Sequence, residues 1–327
     1  MTMAYRVKIG ARLDKDVRRL LAAQTGRAIG YLSGVIDEGG SSIHATRKAL
    51  KRCRSILRLA KPGLSSKTFS AHDRAFRDIG RLLSHDRDRE VMTETLRLLA
   101  AKSAGDDKAA LLSALDELNA INLNGASHLA TEENISRAIA LLQAQDHAIH
   151  NLLVKKGRIA TLAEGFANTY AEGRKALKAA YRINDDEAFH TFRKLLQNHW
   201  RHCQLLVPAW PDLMNVRISA ARDLSQLIGN DHDLSLVIAH FKTPSASTLD
   251  ADIRTRIVAA AKSEQAQLRA EVKPLARRLY ALSPDDMKRL IVDLWPAALR
   301  LAKHRRKPET TGFPVDDVIP LLTDRQI

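Results

Sequence analysis

Two blocks of the chain recur at almost the same distance. IHATRKALKRCRSILRLAKP from Ile43 aligns with FHTFRKLLQNHWRHCQLLVP from Phe189, an offset of 146 residues. RDIGRLLSHDRDREV from Arg77 aligns with RDLSQLIGNDHDLSL from Arg222, an offset of 145. His44 thus pairs with His190, Arg47 with Arg193, Lys48 with Lys194 and Leu59 with Leu205, and Asp78, Asp86 and Asp88 pair with Asp223, Asp231 and Asp233. A chain built twice from one plan must bury two copies of the same apolar face. The expected solution is one shared core, with the halves facing each other in pseudo-twofold symmetry.

The building blocks are helices. Apolar residues recur with a helical period almost everywhere, and no convincing alternating strand is found. The period and its breakers predict helices over 11–37, 42–60, 67–84, 87–104, 106–122, 132–154, 158–182, 185–207, 212–229, 231–242, 249–282 and 284–304. Aromatics make up only 5% of the residues, while Ala and Leu are abundant, which favours helix. The fold class is therefore all-α: a compact helical bundle of two pseudo-twofold-related four-helix halves. One domain is expected over 1–304, with halves at about 5–150 and 151–304, and the Pro- and Gly-bearing residues 305–327 form a C-terminal tail.

The helix from Ile43 is the sharpest local feature. On a wheel of about 100° per residue, Ile43, Ala49, Leu50, Cys53, Ile56, Leu57 and Ala60 share one face. His44, Arg47, Lys48, Lys51, Arg52, Arg54 and Arg58 share the other, with Leu59 straying onto it. No acidic residue is interspersed. Like charges three and four apart oppose helix formation by about 0.2–0.5 kcal/mol per pair, and a merely solvated face would mix in Glu. The pattern points to an anion-binding face. The second copy is weaker: His190, Arg193, Lys194 and Arg201 keep the polar face, but Gln197, Trp200 and Gln204 stand where Lys51, Arg54 and Arg58 stood.

The whole chain shares the bias, with a formal net charge of +15 over 327 residues. That excess calls for a polyanionic partner: polyphosphate, nucleic acid or an anionic surface. No apolar run approaches the ~20 residues of a membrane span. The N-terminal MTMAYRVKIGARLDKDVRRL lacks the apolar segment of a signal peptide, and Cys53 and Cys203 read as reduced core thiols, so a cytoplasmic setting is expected.

These blocks resemble the CHAD family, the conserved histidine α-helical domain, whose hallmark is a duplicated helix that opens on His followed by Arg and Lys. His44-x-x-Arg47-Lys48 and His190-x-x-Arg193-Lys194 carry the match. FANTYAEGRKALKAAYR resembles the helix before the second His, and LARRLYALSPDDMKRLIVDLW the closing helices. The resemblance implies binding of inorganic polyphosphate along a basic channel between the halves, and recruitment to polyphosphate granules. Some members carry an upstream triphosphatase domain; the N-terminus here lacks its alternating Glu strand, so no catalysis is expected. The departures, Gln197, Asn198, Trp200 and Gln204, leave half of the channel less charged. Physics fits the same ligand. A helical stripe of cations meets an evenly charged chain, with Arg as a bidentate fork and Lys as a point charge.

Other cationic runs are candidates for the lining: Arg74, Arg77 and Arg81; Arg174, Lys175, Lys178 and Arg182; Arg12, Lys15, Arg18 and Arg19; and Arg217 with Arg222. Asp78 and Asp223, each following an Arg, are expected to anchor it. Asp86, Asp88, Asp231 and Asp233 are the only seed for a metal-dependent enzyme, and their setting reads better as helix caps. His199 and His202 fall near the apolar side and are expected to be structural. His147 and His150 lack a third ligand for zinc. No nucleotide-binding or hydrolase motif is present, and no cofactor is implied. A helical nucleic-acid-binding module is the alternative, although few aromatics are available for stacking.

Overall fold

The computed structural model describes residues 5–37, 39–83, 87–124, 132–155 and 157–304. Among them stand eleven α-helices and no strand: α1 (Leu13–Leu32), α2 (Ser42–Ala60), α3 (Ser66–Leu82), α4 (Arg87–Lys102), α5 (Gly105–Asn124), α6 (Glu132–His150), α7 (Ile159–Ile183), α8 (Asp186–Leu206), α9 (Pro211–Lys242), α10 (Ala251–Leu279) and α11 (Pro284–His304). The tail over 305–327 lies outside the described residues.

Local chemistry sets the helix boundaries. Ser41 accepts from the His44 N–H at 3.3 Å, Ser65 from Thr68 at 3.0 Å and Asp185 from Ala188 at 2.7 Å, so α2, α3 and α8 each start on a side-chain cap. Asn184 ends α7 in the left-handed conformation, φ 58°, and lets the chain turn straight into α8. The first helix ends at Leu32, short of the predicted 37, because Gly34 takes up φ 72° and turns the chain.

Four pairs of helices start at nearly the offset seen in the sequence. α1 and α7, α2 and α8, α3 and α9, and α5 and α10 begin 144 to 146 residues apart. Part of the packing recurs: α1 lies on α2 and α6, as α7 lies on α8 and α11, and α2 packs on α3 as α8 does on α9; but α2 packs on α7 and α3 on α6 without comparable α8–α1 and α9–α11 packing. One predicted break is absent. The predicted helices 212–229 and 231–242 are a single α9 of 32 residues. Asn230 accepts from Gln226 Nε2 within that helix at 3.0 Å, and buried Asp231 accepts from Arg269 Nε at 2.6 Å. Neither side chain is left to cap a new start.

The expected single core is divided in two. The larger cluster is built on α1, α2, α3, α6, α7, α8 and α11 with the first part of α9 and the end of α10, and Leu57, Phe166, Phe192 and Leu205 are fully buried in it. The smaller holds Leu96 and Leu99 of α4, Leu111 and Leu118 of α5, Val237 and Phe241 of α9, and Ile257 and Ala261 of α10. The 32 residues of α9 reach about 48 Å, more than one core spans, so α9 contributes to both clusters.

Helix α7 crosses α2 backbone to backbone. A Cβ on Gly165 would stand 2.0 Å from the Leu59 carbonyl oxygen, so only glycine permits the contact. This crossing also explains Leu59, which the wheel set on the polar side: α7 covers that flank, and Leu59 is 2% exposed.

Candidate functional site: a cationic face across α2, α7 and α8

The side chains on the polar face of α2 differ in exposure. His44, Lys48 and Lys51 are exposed. Arg47 reaches the end of α3, where its Nη1 donates to the carbonyls of Gly80 at 3.2 Å and Leu83 at 3.4 Å. Arg54 forms a two-pronged ion pair with Asp73 of α3, and Arg58 stands 3.7 Å from the same carboxylate. The face that is unmixed along its own helix thus receives one acid from its neighbour.

The second copy repeats the plan with one change. The Arg193 guanidinium lies against α9 at Gly229, where a Cβ would meet Nη2 at 3.3 Å. Lys194 is exposed and 3.9 Å from Glu187. His190 is half-buried and stacks on His232 of α9, ring centroids 4.3 Å apart. Burial, then the neighbouring His232 and Lys194, push its pKa down to about 4.

The two basic helices meet near their C-terminal ends. Nε2 of buried His202 on α8 donates to the Ser55 carbonyl of α2 at 2.9 Å. Burial holds His202 neutral, with its pKa pushed down to about 3. Around this crossing the structure gathers Arg52, Arg58, Arg193 and Arg201. Arg201 donates to Gln197 on its own helix, at 3.1 Å to the carbonyl and 3.4 Å to the side chain. Burial, and the positive fields of Arg52, Arg58 and Arg193 against the opposing influence of Tyr5, lower its pKa to about 10. Tyr5 itself is buried, and Arg52 lies over its ring at 5.2 Å.

Helix α7 extends the cationic surface. Arg58, Lys61, Arg174, Lys175 and Lys178 line a cavity of about 810 Å³, with Glu164, Glu172 and Phe69 also in its wall. Glu164 is paired with Lys288 of α11. A second cavity, of about 560 Å³, adjoins it through Arg174 and Lys178 and is completed by α10. Lys61, whose Nζ lies 5.0 Å over the Phe69 ring, was missed in the sequence because it falls just past the predicted helix end.

The remaining candidates separate by partner. Arg74 is exposed on α3 and lines neither cavity. Arg77 and Arg81 lie 3.4 and 3.7 Å from Asp78, and Arg222 lies 3.0 Å from Asp223, so these aspartates do anchor their arginines. At the start of α1, Arg12, just before the helix, and Arg18 pair with Asp14, and Arg19 pairs with Asp16, which removes most of that run from the lining. Arg217 turns inward: it donates to the Leu279 carbonyl at 3.0 Å and lies 3.4 Å from His199 Nε2. His199 is buried and stacked on Phe166, a structural residue as expected. Asp231 is an ion-pair partner rather than a helix cap, while Asp86 and Asp88 lie outside the residues whose side chains are described.

Among the described residues no helix is long and apolar enough to cross a membrane, and no three His, Cys, Asp or Glu side chains are grouped to hold one metal ion. No curated protein matches the chain. A family model described as the CHAD domain matches residues 19–242, a span that begins in α1, includes both basic helices and ends with α9. With that span covering well over half of its 327 residues, the chain belongs to the CHAD domain family.

Proposed function

We propose that the chain binds long-chain inorganic polyphosphate without transforming it, and that this binding directs it to polyphosphate granules in the cytoplasm. Polyphosphate binding is the known association of the family. The observation that carries the reading is the convergence of cations from two halves on one face. Arg52 and Arg58 of α2 meet Arg193 and Arg201 of α8 at the crossing, and Arg174, Lys175 and Lys178 of α7 continue the surface. Half-buried cations that repel one another are costly until an anion neutralises them. A flexible chain with a charge on every phosphate can follow such a track, and Arg suits its oxygens as a two-pronged donor.

In this reading the Ser55–His202 contact marks the centre of the track. His44 and His190 then open the two arms of the track, each about 17 Å of helix axis from the crossing. Their place favours a hydrogen bond, or an imidazolium, towards a phosphate oxygen.

Titration of long-chain polyphosphate into wild type and into an Arg58→Gln, Arg201→Gln double variant tests the proposal. Each lost charge-assisted contact costs about 1.5–3 kcal/mol, so the pair should weaken affinity by about a hundredfold or more. Helical circular dichroism must persist in the variant. Wild-type affinity in a folded variant would contradict the track.

A further inference from the structure

The second cavity has a construction of its own. Helices α7 and α10 run antiparallel there and are joined at two points. Tyr181 Oη donates to the Arg269 carbonyl at 2.6 Å, and Tyr170 Oη donates to the carbonyls of Leu279 at 3.3 Å and Leu282 at 3.1 Å. Between these two struts each helix presents two cations: Arg174 and Lys178 from α7, and Lys273 and Arg277 from α10, with Arg182 just past the Tyr181 strut also in the wall. The struts are about 16 Å apart along α7.

The charge here is unmixed. The first cavity has Glu164 and Glu172 in its wall, whereas no carboxylate lines the second. Among the described residues none of its five cations forms an ion pair with a carboxylate. One side is apolar, formed by Leu177, Tyr181 and Ala281, and Lys273 Nζ lies 5.2 Å over the Tyr181 ring. The arrangement is not a product of the duplication. At the same offset of 146, the counterparts of Arg174, Lys178 and Arg182 are Ala28, Leu32 and Ile36. Lys273 and Arg277 also lie beyond the span that matches the family.

We propose that this cavity is a subsite of its own for a compact triphosphate group, sharing Arg174 and Lys178 with the neighbouring cavity and adding Lys273 and Arg277. Two facing rows of cations, bounded at both ends, suit several charges concentrated in a short length better than a chain passing through. Two sources carry that chemistry: the terminus of an inorganic polyphosphate, and the triphosphate of a nucleotide whose base would rest on the Leu177–Tyr181 wall. Only Arg174 and Lys178 are shared with the long-chain track, so the α10 pair Lys273 and Arg277 tests this site apart from it.

Calorimetric titration in magnesium-free buffer with inorganic tripolyphosphate, and in parallel with ATP, tests it. Wild type should bind tripolyphosphate at one site. A Lys273→Ala, Arg277→Ala variant, whose side chains are exposed, should lose about tenfold or more of that affinity. It should keep its affinity for long-chain polyphosphate, and the Arg58→Gln, Arg201→Gln variant should show the reverse pattern. ATP binding tighter than tripolyphosphate assigns the nucleotide source; equal or weaker binding assigns the chain terminus. Absence of tripolyphosphate binding overturns the inference while leaving the track untouched. Parallel loss of both ligands in the Lys273, Arg277 variant overturns it as well, because the cavity would then be part of the track.

Discussion

Arg54 holds Asp73 with both arms of its guanidinium, Nε to Oδ1 at 2.9 Å and Nη2 to Oδ2 at 3.1 Å. The pair joins α2 to α3, and the same carboxylate draws on Arg58 at 3.7 Å. Asp73 therefore competes with any polyanion for two of the cations on α2. Asp73→Asn should free them and tighten polyphosphate binding by about tenfold, roughly the worth of one charge-assisted contact. Titration of the variant at fixed ionic strength checks this; unchanged affinity would remove Arg54 and Arg58 from the binding face. Arg54→Glu, by contrast, would set two carboxylates together and destabilise the α2–α3 packing.

Acid should destabilise the free protein through its buried histidines. Burial holds His199 well below the ordinary imidazole value, and His202 at about 3. In the unfolded chain both rings protonate near pH 6.5. Stability from the neutral buried rings is therefore complete above about pH 7 and is lost as pH falls towards 3. The loss reaches up to about 2.7 kcal/mol per pH unit where both unfolded rings are charged. Urea unfolding between pH 7.5 and 5 measures the slope. Replacing His202 with Leu should reduce it by about one proton, while losing the hydrogen bond to Ser55.

Ligand binding should respond to pH in the opposite sense. His190 in the free protein titrates at about 4, lowered by burial and by His232. A bound polyanion favours the imidazolium and raises that value, so binding takes up protons and tightens as pH falls from about 7 to 5. His190→Gln keeps a donor but removes the titration, and should flatten the profile. Affinity measured at several pH values for both proteins decides it. A full pH dependence in the variant would assign the proton to other groups.

Gly165→Ala should be severely destabilising. Its new Cβ would meet the Leu59 carbonyl oxygen at 2.0 Å, backbone against backbone, so α7 would have to move off α2. A cost of about 3 kcal/mol or more is expected, at the upper end for strain in a packed core. Thermal melts read it out. A melting temperature near wild type would mean that the crossing is looser than described.

What could be read in the sequence follows the range of the forces involved. The apolar stripe of α2 and the cationic stripe opposite it are local properties of a 3.6-residue period, and both hold. The cap at Ser41 is equally local. The pairing of Arg54 with Asp73 spans 19 residues and depends on how α3 lies across α2, which no single-helix wheel contains. The stretch around Asn230 and Asp231 reads as a helix start from local preference alone. It is overruled by Arg269, 38 residues further on. Lys273 and Arg277 stand four apart, a visible pattern, but their significance comes from α7 lying opposite. Arg217 shows the converse, since its charge suggested solvent while its contacts lie inside with Leu279 and His199.

The central claim is that the face gathered around Arg52, Arg58, Arg193 and Arg201 selects long-chain polyphosphate rather than any polyanion. Competition measures this most directly: labelled long-chain polyphosphate is displaced from the protein by unlabelled polyphosphate, or by duplex DNA matched in total charge, across a series of salt concentrations. Counterion release should make log affinity fall with log salt for both competitors, with polyphosphate the stronger competitor at every concentration. Equal displacement by DNA, or an affinity that does not change with salt, would contradict the claim.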